Sequence, residues 1–215
     1  GGGSVPFLYY PLDTYASSTS LRISFRQDQD GYTGNSDTFI DETVADSGTN
    51  YSTDPVFISD IGTSADENRY SIEEWSDLSE VIGVLSSQVS VTSAGIEYFV
   101  AVEGQGFSLH NFTSAFNLDV STVTHDTLHG TLSGSSFLSY NETAIGTWPG
   151  DDNYVGTIYV PISGSVIEDW IKNTNPTIPT ALIGIPLDAD GQQLSSAEAP
   201  ILTSRPTLHL TYTFD

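Results

Sequence analysis

Apolar and polar residues alternate with a period of two along most of the chain. Leu21, Ile23 and Phe25 alternate with Arg22, Ser24 and Arg26, and Ile96, Tyr98, Val100 and Val102 alternate with Glu97, Phe99, Ala101 and Glu103. The same rhythm returns at Phe116, Leu118 and Val120, at Ile158, Val160 and Ile162, and at Leu208, Leu210 and Tyr212. A period of two sends successive side chains to opposite faces, so each run predicts a strand with one face on a core and one on water. Clusters rich in Gly, Asp, Asn and Ser separate the runs: DQDGYTGNSD, GTSADEN, GQGFS, SGSS, PGDDN and DADGQQ. Many short strands divided by turn clusters predict an all-β sandwich or barrel. One stretch follows a helical period instead. Val166, Ile167, Trp170 and Ile171 make one apolar helix face, which predicts a short α-helix near 165–173. Ser165 and Glu168 have capping-box spacing, Lys172 suits the dipole of the last turn, and Pro176 is the expected stop.

Charge narrows the partners. Five basic residues face 28 acidic ones, for a net charge of −23. Phosphate binding needs clustered Lys and Arg, so nucleic acid and anionic membranes are excluded as expected partners. No apolar run approaches the roughly 18 residues of a membrane-crossing helix, so membrane insertion is not expected. The chain has no cysteine, so it has neither a disulfide framework nor a thiolate metal site. A Gly-Gly-Gly start in a chain without Met reads as a processed or trimmed end. Few basic residues and abundant Ser, Thr, Gly and Tyr point to an extracellular or cell-surface protein.

Candidate chemistry is sparse. There is no G-x-S-x-G elbow and no cysteine nucleophile, so no enzyme is expected. His125 and His129 have the spacing of a zinc pair on a helix. Thr and Val around them favour a strand, on which four residues span about 13 Å and cannot share one ion. Asp28, Asp30 and Asp37 fall partly on the spacing of a calcium loop, although Arg26 occupies its first ligand position. They are the candidates for a structural calcium; no other cofactor is expected. Trp148 with Asp151, Asp152, Asn153 and Tyr154 could form an aromatic platform with hydrogen-bonding groups for a neutral polysaccharide. A tryptophan is also often a core residue. Asn50, Asn111 and Asn141 stand in glycosylation sequons.

The C-terminal third carries Ser195, Ser196, Glu198, Arg205, Pro206, Leu208, Leu210 and Tyr212. This run resembles the closing signature of the DNRLRE-type domain, an "SSE" stretch followed by "RP-x-L-x-V-x-Y". SDTFIDETVADSGTNYSTDPVFI, NRYSIEEWSDLSEV and TWPGDDNY resemble earlier segments of that family. The resemblance implies a jelly-roll β-sandwich related to carbohydrate-binding modules of secreted and surface proteins. Glu73, Glu74 and Trp75 depart from the family's "L-R-F-D" strand and remove a basic side chain suited to acidic glycans. Arg205 is expected to bridge to Glu198 and pin the SSAEAP loop.

Residues 1–36 precede the family-like region, 37–215. In the arm, Val5, Phe7 and Tyr9 point one way and Leu8, Tyr10 and Leu12 the other. Such a strand is apolar on both faces, so it is expected to be buried on both. Pro6 and Pro11 confine it to an edge or groove. Insertion into a neighbouring copy would satisfy both conditions. Two functions follow as expectations: a non-enzymatic extracellular subunit that assembles, as a filament, with copies of itself through this arm, and a module that binds polysaccharide.

Overall fold

A computed structural model describes residues 20–43, 45–60, 68–83, 85–131 and 140–214, without the side chains of 129–131. The proposed arm contacts at residues 5–12 lie outside these residues.

The alternating runs become strands of two antiparallel sheets. In chain order they are β1 (Leu21–Arg26), β2 (Asn35–Asp41), β3 (Val56–Ser59), β4 (Arg69–Trp75), β5 (Val89–Val102), β6 (Phe107–Asn111), β7 (Gly146–Trp148), β8 (Gly156–Ile162), β9 (Ala181–Pro186), β10 (Gln192–Ser195) and β11 (Thr207–Phe214). One sheet runs β1-β11-β5-β10-β3 with β8 also on β5; the other runs β2-β4-β9-β6-β7. Val100 of β5 pairs with Leu194 on one side and Gly156 on the other. Consequently β8 holds one edge of β5, while β10 and β11 follow each other along the opposite edge. Strands β1 to β6 alternate between the sheets, the sheet-switching habit of a jelly roll. The molecule is an all-β sandwich, as the alternation predicts.

Between the sheets lies a core that includes Phe25, Phe57, Trp75, Ile96, Val100, Phe107, Ile158, Val160, Leu182, Leu208 and Leu210. A second, smaller core covers the outer face of the β2-containing sheet. There Ile40, Ile72, Ala181 and Ile183 pack with Phe112, Val123 and Leu128. The middle of that sheet is therefore buried on both faces, and the sandwich carries a partial third layer.

This third layer corrects two expectations. Phe116, Leu118 and Val120 alternate in burial with their neighbours but join no sheet ladder. Phe116 and Leu118 lean on the second core from an irregular segment, so period two reports a packed face without a strand. The stretch around His125 is a helix, His125–Thr131, and not a strand. Local hydrogen bonds override the Thr and Val propensities: Thr127 N donates to Thr124 Oγ1 at 3.2 Å, and Thr124 N donates back to Thr127 Oγ1 at 2.8 Å. Reciprocal bonds of this kind satisfy donors that a helix start leaves open.

The predicted helix is present as Gly164–Lys172, with Ile167 and Ile171 fully buried and Trp170 half-buried. A further short helix spans Leu78–Ile82, so the expectation of one helix is too few. The Ser165–Glu168 capping box does not form. Glu168 accepts instead from Val91 N at 2.9 Å and from Lys172 Nζ at 2.6 Å, tying the helix to β5. Asn173, at φ 51°, ends the helix in the left-handed region, three residues before Pro176. Among the described residues, no helix is long and apolar enough to cross a membrane.

Candidate functional site

Three loops at one end of the sandwich form a groove. Strands β6 and β7 pair Phe107 with Trp148, and the chain turns through Pro149 and Gly150 beyond them. Asp151 N donates to Gly104 O at 3.0 Å, Gln105 N to Asp190 O at 3.0 Å, and Leu187 N to Gly106 O at 3.2 Å. These bonds join the 103–106, 149–155 and 187–191 loops, which are distant in sequence. Asp151 Oδ1 accepts from Asn153 N at 3.0 Å, an Asx turn that presents the three polar residues together.

The groove encloses about 510 Å³ and is open to solvent; Gln105, Asp151, Asp152, Asn153, Leu187 and Asp188 line it. That volume falls within the usual range of small-ligand sites. Among the described residues, no basic side chain lines it. Asp151, Asp152 and Asn153 thus converge as the sequence groups them. Gln105 and Asp188, missing from the sequence reading, join them through long-range loop contacts that no local pattern reports. Trp148 and Tyr154 do not line the groove. Trp148 is half-buried against the main core, its indole nitrogen buried without a hydrogen-bond partner, and its ring lies 6.5 Å from that of Tyr154. Tyr154 donates to Thr157 O at 2.7 Å and remains 36% exposed.

A polar cluster inside the sandwich was also missing from the sequence reading. Asp37 and Glu73 are directly paired across β2 and β4, and both are buried. Tyr98, on the opposite sheet, donates its hydroxyl to Glu73 Oε2 at 2.7 Å. Ala197 N donates to Asp37 Oδ2 at 2.6 Å. Burial raises the pKa of Glu73 from 4.5 to about 7, against the opposing pull of Tyr98, the Trp75 indole and Asn35. Burial also raises Asp37 well above the carboxylate range, with Glu198 and Glu73 adding to the rise against the Ala197 amide. The available signal was parity: Asn35 and Asp37 share a face with buried Phe39, which marks that face as inward.

The remaining candidates are dispersed. Asp28 and Asp30 lie in a tight turn at φ 63° and 53°, whereas Asp37 is in the core. Among the described residues, no three His, Asp or Glu side chains gather as a metal set. Arg205 pairs with Asp28 and not with Glu198, but it does pin the loop, donating from Nε to Ala199 O at 2.8 Å. Ser196 is fully buried and donates to Asp54 O at 2.6 Å. Asn50 donates from Nδ2 to the carbonyls of Val120 (2.9 Å) and Val123 (2.7 Å), which commits both amide hydrogens. Asn111 Nδ2 donates to Phe112 O at 3.2 Å. Asn141 lies beside it, with an Nδ2 contact of 3.5 Å to Asn111 Oδ1. The helix places positions 125 and 129 one turn apart, and His125 Nε2 is 3.9 Å from Glu42 Oε1.

No protein-family model matches the chain, and no curated protein is similar to it.

Proposed function

We propose that the protein is a non-catalytic extracellular or cell-surface module that holds a neutral polysaccharide in the groove at residues 103–106, 149–155 and 187–191. One observation carries this reading: Asp151, Asp152 and Asn153 converge with Gln105 and Asp188 in a single open cleft of about 510 Å³. Carboxylates accept and amides both donate and accept, so the set can match the paired hydroxyls of a sugar. The absence of a basic lining residue argues against an acidic glycan. The DNRLRE-type resemblance is consistent with such a module. A glycan array tests the reading. Binding to neutral oligosaccharides that Asp152→Ala and Asn153→Ala abolish supports it; binding unchanged by both substitutions contradicts it.

A second reading is assembly into a filament through the N-terminal arm. It is favoured by the edges: among the described residues β1 bonds only β11 and β2 bonds only β4, so each sheet presents an unpaired strand edge. Such edges accept added strands. Deleting residues 1–12 and imaging the product by electron microscopy separates this reading from the first.

A further inference from the structure

The pairing of Asp37 with Glu73 is chemically unusual. Like charges directly opposite in a sheet repel, and antiparallel partners have Cβ atoms only about 4.5–5.5 Å apart. Asp37 is 1% exposed and Glu73 2% exposed, so water does not screen them. Every group that dominates their surroundings is neutral or acidic. From β2 comes Asn35, whose Nδ2 lies 3.5 Å from Glu73 Oε1. Trp75 stands beside Glu73 on β4, and Tyr98 faces it from β5. The 196–199 loop contributes the Ala197 amide and the Glu198 carboxylate. Tyr32, near the turn that leads into β2, feels the charge of Glu73 as well. Among the described residues, no ion pair reaches Asp37 or Glu73.

We propose that Asp37 and Glu73 form a pH-sensitive latch, which holds β2, β4, β5 and the 196–199 loop together while the pair keeps a proton and loosens them when both carboxyls ionise. The geometry gives the latch its reach. Glu73 bonds across the sandwich to Tyr98, and Asp37 bonds to the loop that precedes β11. Among the described residues β2 is bonded on one side only, so of the strands the latch joins it is the one free to leave. Two adjacent buried carboxylates cannot both ionise without a large desolvation and repulsion cost. The folded chain holds the proton of Glu73 up to about pH 7, whereas the unfolded chain releases it near 4.5. The stability that Glu73 contributes is therefore full below the unfolded value and is lost as pH rises through the folded one.

Denaturant unfolding of the full chain from pH 4.5 to 9 tests the latch. The folding equilibrium constant should fall on the order of a hundredfold across that range. Asp37→Asn and Glu73→Gln should each flatten the fall, because only one ionisable carboxyl then remains. A wild-type profile that is flat or rises, or variants with the wild-type slope, would overturn the proposal. Should the variants not fold, carboxyl carbon NMR of the wild type decides. At least one of the two carboxyls must titrate at pH 6 or above; ordinary titration of both, near pH 4, refutes the latch.

Discussion

Gly106 and Gly150 stand back to back where two loops of the groove meet. A Cβ on Gly106 would lie 2.5 Å from Gly150 N, and one on Gly150 would lie 2.4 Å from Gly106 N. Both residues also have positive φ, 86° and 82°, which side chains rarely adopt. Gly150→Ala should therefore separate the 103–106 and 149–155 loops. The expected cost is about 1–3 kcal/mol, together with loss of ligand binding. Thermal denaturation and a binding assay on the same sample check both effects.

Tyr98→Phe removes the hydroxyl that Glu73 accepts across the sandwich. The buried carboxyl loses its strongest partner, so the substitution should destabilise by about 1–3 kcal/mol. A denaturation midpoint equal to wild type would show that the bond contributes nothing.

Asn50 is expected to serve the fold. Asn50→Ala leaves the Val120 and Val123 carbonyls without their donor. A loss of about 1–3 kcal/mol should follow, read as a lower melting temperature. In a glycosylating secretory host, mass spectrometry should find glycan at Asn141 and none at Asn50.

Asp41 sets an acid limb to stability. Burial alone would raise its pKa, but hydrogen bonds from Thr43 and Arg69 outweigh it and lower the value. Arg69 Nε lies 2.7 Å from Asp41 Oδ2. A lowered folded pKa contributes stability that is present above the ordinary carboxylate range and lost as pH falls through the folded value. Asp41→Asn should shrink the stability lost between pH 5 and pH 2, measured by denaturant unfolding at each pH.

The sheets were legible because β5, β8 and β11 each set one face on the core, and a period of two records that directly. Helix Gly164–Lys172 was legible for the same reason at a period of 3.6. The segment from Phe116 to Val120 was misleading because burial alternates there without ladder bonds. The helix at His125 was hidden by Thr and Val, whose propensities yield to the reciprocal Thr124–Thr127 bonds. Asp37 as a calcium candidate and Glu73 as a departure from the family's strand carry no sign of their shared burial, because polar residues usually face water. Their inward position depends on strand parity and on Tyr98, 25 residues beyond Glu73. In the groove, Asp151, Asp152 and Asn153 were visible as neighbours in sequence. Gln105 and Asp188 were not, since only the folded loops bring them there.

The most direct test of the groove is NMR mapping of the full chain with a neutral oligosaccharide, chosen from the strongest array binders. Backbone amide shifts should concentrate at Gln105, Asp151, Asp152, Asn153 and Asp188 and disappear in Asp152→Ala. Shifts confined to β1 and β2, or no shifts with any neutral oligosaccharide at millimolar concentration, would contradict the account.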